Sequence, residues 1–246
     1  MSSSMSKAPN PKIFKPMTLK KYLQFLLLGL LWLLLCIPIL TIGAATCSVY
    51  YVALKILNDE TDIHVAKLFF KGIKENFVQG LLMFFISAIT LGGTGAFIWW
   101  ILEKSGRGIP LVCLAIGVCF VVLVLNIFTY PIIGRYENTF GNKLRNTVAL
   151  AFTYNRETLR CTGFVAAELA IAGILFRLSL FAGCVSLLFW PSVIFYTIAS
   201  FMAYIFYRVE NPIQYDENGD AIESEQHEET EPQDETENEN NNKEIE

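Results

Sequence analysis

The chain has 246 residues, 53% of them hydrophobic and 17% charged, with a mean hydropathy of +0.43. The apolar residues stand in long blocks rather than in amphipathic alternation, which excludes an ordinary water-soluble domain. The formal net charge of −4 hides a segregation: from Glu210 onward fifteen acidic residues face one lysine, a net of about −14, whereas the remainder holds eighteen basic and eight acidic residues, about +10.

Residues 1–21 form a basic segment with Lys7, Lys12, Lys15, Lys20 and Lys21. The apolar run that starts at Tyr22 is too long for a signal peptide and has no A-x-A cleavage site, so it is expected to stay as an anchored helix. It leads into CIPILTIGAAT, Cys36 to Thr46, where Pro38 removes a backbone donor and Gly43 adds a soft point. Segments 22–37 and 42–57 flank this break, and four longer runs follow at 78–102, 109–133, 161–182 and 186–207. Twenty-odd helical residues cover about 30 Å, the hydrocarbon thickness of a bilayer.

The bias of lysine and arginine across short loops decides between a kink and a reversal at Pro38–Gly43. With a single crossing over Tyr22–Leu57, eight basic residues fall on one side and ten on the other. With a reversal, only Lys104, Arg107 and Arg177 lie outside and fifteen lie inside. The reversal is therefore expected, with both termini cytoplasmic. Its thirty-six residues span about 54 Å as helix, whereas two full crossings need about 60 Å plus a turn. The first hairpin is thus short: it tilts, thins the bilayer, or dips in without reaching the far surface. A re-entrant break must be buried in protein or face a wet cavity. That makes Pro38, Thr41 and Gly43 either a cavity wall or a kink satisfied by neighbouring helices.

The stretch HVAKLFFKGIKENF (64–77) is amphipathic, with Val65, Leu68, Phe69, Ile73 and Phe77 at helical spacing and Lys67, Lys71 and Lys74 largely opposite. An interfacial helix is expected, its lysines towards anionic lipid; the alternative is a short helix packed under the bundle. His64 stands alone at its start. A second polar stretch, Gly134–Arg160, carries a helical stripe of Leu144, Val148, Ala151 and Phe152 within an inner amphipathic segment at 139–157. Asn138, Asn142, Asn146 and Asn155 are frequent there, and Arg135, Lys143, Arg145, Arg156 and Arg160 make it basic. Phosphate-bearing ligands, lipid headgroups or an acidic partner surface would fit, and so would a plain inner-leaflet anchor. Lys67, Lys71, Lys74, Arg135, Lys143 and Arg145 are the expected inner-surface contacts.

Three of these pieces occur in order: IPILTIGAATCSVYYVALKI, LFFKGIKENFVQG and YPIIGRYENTFGNKLRNTVALAF. Together they resemble the YesL-like family of small bacterial membrane proteins, a family of unknown function, over roughly Leu19 to Arg208. The P-x-x-T-x-G-A element from Pro38 to Ala44 carries most of the likeness. The resemblance implies a bacterial plasma-membrane protein and, because such proteins are often encoded beside carbohydrate ABC-transport and polysaccharide-use genes, a role beside sugar uptake with an ABC sugar permease as partner. It defines no catalytic or ligand residues.

Ionisable groups inside spans are costly and therefore informative. Glu168 is seven residues past Cys161, and Asn126 is seven before Ile133, so the expected topology puts both at similar depth on adjacent spans. A hydrogen bond between them would make either a polar site in a transport path or interhelical glue worth about 1 kcal/mol. Held dry, the Glu168 carboxyl would stay protonated. Arg177 is too far along the same helix to pair with Glu168 and is expected to snorkel outward.

Cys36, Cys47, Cys113, Cys119, Cys161 and Cys184 sit in or beside apolar runs without CxxC spacing, as buried thiols would. GGTG at 92–95 lies in an apolar run with no strand before it, which favours helix packing over phosphate binding. There is no Walker loop, HExxH or GxSxG, so no catalytic residues, metal or cofactor are expected. Residues 209–246 are acidic and of low hydrophobicity, as in a disordered tail, with a small hairpin about the NG turn as an alternative.

The expected fold is therefore all-α: a polytopic integral membrane helical bundle of about six membrane segments, its N-terminal hairpin short and broken, in residues 22–208. Three functions are carried forward. The first is an accessory or regulatory subunit of a carbohydrate uptake system. The second is a small transporter or channel, compatible with homo-oligomerisation, using Pro38, Thr41, Gly43, Asn126 and Glu168. The third is a lipid-active enzyme. The bilayer is the expected partner in each, and nucleic acid in none.

Overall fold

A computed structural model describes residues 18–58, 64–104 and 109–211, with 214–215 and 221–222. The described residues form seven helices: α1 (Leu19–Leu35), α2 (Ile42–Leu57), α3 (Val65–Lys104), α4 (Ile109–Arg135), α5 (Phe140–Thr153), α6 (Asn155–Leu178) and α7 (Leu180–Glu210). Five stretches are long and apolar enough to cross a membrane: α2 counted together with the turn before it (Ile39–Leu57), and α3, α4, α6 and α7; α1, with 17 residues, falls just short. Residues 1–17 and most of the acidic tail lie outside the described residues. Beyond Glu210 a separate unit carries β1 (Gln214–Tyr215) and β2 (Ala221–Ile222), paired antiparallel with Gln214 opposite Ile222. This is the small hairpin raised as an alternative for the tail; its NG turn lies outside the described residues.

The chain does reverse between α1 and α2. Cys36 ends α1, a 3-10 turn follows at Ile39–Thr41, and α2 begins at once. The Thr41 hydroxyl closes the turn by donating to the carbonyls of Leu35 and Pro38. The Leu35 carbonyl is one that a helix end leaves open, and the Pro38 carbonyl also takes the Thr41 N–H at 2.9 Å. Trp32 Nε1 then donates to Thr46 Oγ1 at 3.0 Å, tying the two helices together just inside the turn.

Helix α2 is the centre of the bundle. Of its span, 67% is buried, against 11% for α3, 11% for α4 and 6% for α6. Its small residues explain this, because Gly, Ala and Ser let neighbouring backbones come close. Gly43 lies against Gly80 of α3 so tightly that a Cβ would fall 2.1 Å from the Gly80 carbonyl oxygen. Gly134 of α4 meets the Cys47 carbonyl in the same way, at 2.6 Å. Ser48 donates to the Phe69 carbonyl and lies against Gly72. Tyr50 packs edge-on to Phe195 of α7, and Trp32 does the same from α1.

The Gly43–Gly80 contact also fixes how far the first hairpin reaches. Gly80 is fifteen residues from the start of α3, about 22 Å, and α3 continues for about 36 Å beyond it. The turn therefore lies beside the middle of α3. The buried core follows: Phe25, Leu28, most of α2, Phe69, Phe128, Ile132, Cys161 and residues 195–206 of α7 gather towards one end. The far halves of α3, α4 and α6 expose Ile89, Trp99, Leu114, Ile116, Ile174 and their neighbours, as lipid-facing helices do.

Several expected boundaries move. The amphipathic stretch 64–77 and the span 78–102 are one 40-residue helix, since neither Gly nor Pro interrupts it between Phe77 and Gln79. Part of its apolar stripe packs within the chain: Val65 and Phe69 are buried in the core, while Phe77 and Lys67, Lys71 and Lys74 are exposed. The segments expected at 139–157 and 161–182 divide at Tyr154, where α5 ends and α6 begins. The break expected between the runs 161–182 and 186–207 lies earlier, at Ser179, which is extended (φ −156°, ψ 129°). Gly183 follows within a tight contact of Phe176 that leaves no room for a side chain. GGTG does not pack helices within this chain, since Gly92, Gly93 and Gly95 face open space.

Candidate functional site

The expected pairing of Asn126 with Glu168 does not form. Asn126 accepts from Ser87 Oγ of α3 at 2.7 Å and donates to the Val122 carbonyl of its own helix. Glu168 accepts from Thr197 Oγ1 of α7 at 2.6 Å. The reason is connectivity: α3 with α4, and α6 with α7, are antiparallel neighbours, whereas α4 and α6 barely touch. Glu168 Oε2 is buried without a hydrogen-bond partner among the described residues. Pro38, Thr41 and Gly43 lie in the hairpin turn and at the head of α2, and the structure shows no contact joining them to either polar residue. Replacing Thr197 by Val should cost about 1 kcal/mol, the worth of one interhelical hydrogen bond in a membrane bundle. Glu168→Gln should retain most of it, and detergent-solubilised unfolding midpoints would read both.

The polar groups that do converge lie where α3, α4 and α5 meet. A cavity of about 340 Å³ is lined by Tyr51, Glu75, Asn76, Gln79, residues 133–138 and Lys143. Two of the expected surface cations are in fact buried there. Lys143 is 3% exposed, and its ammonium donates to Gln79 Oε1 at 2.6 Å and to the Ile133 carbonyl at 3.2 Å. Burial lowers its pKa below the ordinary lysine value, with Cys47 and Glu137 pulling the other way. Gln79 in turn donates through Nε2 to the Asn138 carbonyl at 3.2 Å, so one glutamine links α3 to both ends of the α4–α5 connection.

Arg135, the last residue of α4, is anchored differently. It reaches Glu210 at the end of α7 at 2.7 Å, with side-chain exposures of 6% and 29%. Its guanidinium lies 5.1 Å from the Phe206 ring centre and 5.6 Å from that of Tyr136. Tyr136 also approaches Glu210 at 3.3 Å, and burial raises its phenol pKa. The other expected basic contacts stay outside: Lys67, Lys71, Lys74 and Arg145 are exposed, and Lys71 pairs with Glu75 at 3.7 Å. Gln79 and Glu210 were missed from sequence. Gln79 had a signal, since it is an amide directly before Gly80 at the start of the apolar run.

A second, apolar groove of about 230 Å³ runs between α4 and α6 past Phe152 and Thr158. Its walls offer almost no polar atoms to orient a ligand. Among the described residues the thiols of Cys36, Cys47, Cys113, Cys119 and Cys161 are free, and no three His, Cys, Asp or Glu side chains cluster as metal ligands would.

Long apolar helices, close crossings at glycine and in-span polar groups closed onto neighbouring helices define the class, a multi-pass helical membrane protein. The family described as "Protein of unknown function, DUF624" matches residues 25–94, from early α1 through the hairpin and α2 into α3. No curated protein and no solved structure is similar enough to match.

Proposed function

We propose that the chain is an accessory or regulatory subunit in a bacterial plasma membrane, associated with a carbohydrate uptake system and not itself a pore. One observation carries this. The in-span polar residues that a transport path would use instead close interhelical bonds, Asn126 with Ser87 and Glu168 with Thr197, while the polar cavity gathers at the loop-bearing ends of α3, α4 and α5. Bacterial membership and the link to sugar uptake rest on the resemblance to the YesL-like family, to which the DUF624 match adds support over residues 25–94. The cytoplasmic placement of both termini rests on the lysine and arginine bias. With that placement the first hairpin is re-entrant from the cytoplasmic side, because its turn stops beside the middle of α3.

The alternative of a small transporter draws on Glu168 Oε2, which is buried without a partner. Purified protein in sealed vesicles separates the two. Wild type should pass no sugar, proton or ion flux above empty vesicles, and a permease should co-purify from cells growing on the relevant carbohydrate. Flux in wild type that falls in Glu168→Gln would replace this proposal with the transporter. Reconstituted turnover of a lipid substrate would replace it with an enzyme.

A further inference from the structure

We propose that the cavity walled by Lys143 and Arg135 binds the phosphate group of an anionic ligand, which is either the headgroup of a membrane lipid or a free phosphorylated small molecule. The proposal is independent of the accessory role.

Charge accounting carries it. A buried ammonium needs a counter-charge, or its desolvation is uncompensated. Lys143 is buried, yet no carboxylate lies within 4.0 Å of it among the described residues; its two acceptors, Gln79 Oε1 and the Ile133 carbonyl, are neutral. The acids nearby are otherwise placed. Glu210 is held by Arg135, Glu75 lies beside Lys71, and Glu137 is exposed at the cavity edge. Lys143 on the cavity wall therefore has no direct ion-pair partner, although Glu75 and Glu137 line the same cavity and Glu137 acts on it from beyond 4.0 Å.

The donors suit a tetrahedral oxyanion. The ammonium has three N–H groups and spends two on protein acceptors. The Arg135 guanidinium has five and engages Glu210 and the Tyr136 hydroxyl, which leaves donors over. A point-like cation beside a planar one matches an anion with several oxygens better than a single carboxylate does. The amino end of α5 is close by, since Lys143 is in its first turn, and the helix dipole adds partial positive charge there. The cavity volume falls in the range of small-molecule sites, roughly 300–1,000 Å³.

The test uses the full chain in phosphatidylcholine nanodiscs. Inorganic phosphate and glycerol 3-phosphate are titrated against chloride at matched ionic strength, with thermal stability as readout. In parallel, retention of phosphatidylglycerol is measured by native mass spectrometry after dilution into phosphatidylcholine. Stabilisation by the soluble phosphates identifies a free ligand, and selective retention of phosphatidylglycerol identifies a headgroup. In either case Lys143→Met should weaken binding at least about tenfold, as loss of a charge-assisted hydrogen bond does, and Lys67→Met should leave it unchanged. Gln79→Glu provides a second arm if Lys143→Met does not fold: a carboxylate at this position supplies the missing counter-charge from within, so binding should be lost while the melting temperature holds or rises. Failure of wild type to bind either probe overturns the proposal. So does binding that survives both Lys143→Met and Gln79→Glu.

Discussion

Gly43→Ala should leave little correctly assembled protein, with the loss in folded stability about 3 kcal/mol or more. The added methyl would meet the carbonyl oxygen of Gly80 at 2.1 Å and its carbon at 2.7 Å, and both are backbone atoms that no rotamer change can move. Overpacking a well-fitted core costs about 1–3 kcal/mol even where side chains can adjust. Here two helices must part, and Ser48 would be drawn off the Phe69 carbonyl along the same crossing. Gly80→Ala should behave alike, since its own Cβ would meet the Ala44 backbone at 2.7 Å. Gly92→Ala is the control: that position faces open space, so its helix should be unharmed. Monodisperse yield and thermal midpoint in detergent measure all three. A Gly43→Ala protein melting with wild type would refute the observed α2–α3 crossing.

Arg135→Ala should be the most damaging change at a charged position, costing about 3 kcal/mol. Removing one partner of a buried ion pair costs about 3–5 kcal/mol because the other charge is stranded, and the partial exposure of Glu210 puts this pair at the low end. The change also removes the guanidinium from the faces of Phe206 and Tyr136. Glu210→Gln should cost less, because a glutamine can still accept from Arg135. In a double-mutant cycle the two changes should be clearly non-additive, with a coupling of about 1–2 kcal/mol. Additive effects would mean that Arg135 acts through its ring contacts alone.

How much of this was legible in sequence depends on how far apart the interacting residues stand. The spans were legible because apolar runs are local. The reversal at Pro38–Gly43 was legible because lysine and arginine counts integrate over the whole chain. Its shortness followed from residue count alone, and the Gly43–Gly80 contact locates it. The fusion of 64–77 with 78–102 was hidden by a change of polarity, which looks like a boundary although no breaker residue supports one. The burial of Lys143 was hidden because its acceptor Gln79 is 64 positions away, and a lysine among arginines and asparagines reads as solvated. For Glu168, similar depth on two spans suggested Asn126. The nearer rule was that consecutive helices joined by a tight turn pair with each other, and Thr197 obeys it, as do Phe164 and Phe201 in the same register.

The central position of α2 has a consequence for biogenesis. This segment leaves the ribosome second, yet most of the surface that covers it belongs to α3, to the end of α4 and to α7, which are synthesised after it. Until Gly80 and Gly134 arrive, the small-residue faces of α2 are open. Until Phe195 arrives, Tyr50 lacks its ring partner. The early hairpin is thus an unfinished intermediate that must wait at the membrane for the rest of the chain. Nascent chains halted before Phe195 should be the ones that membrane chaperones and proteases engage.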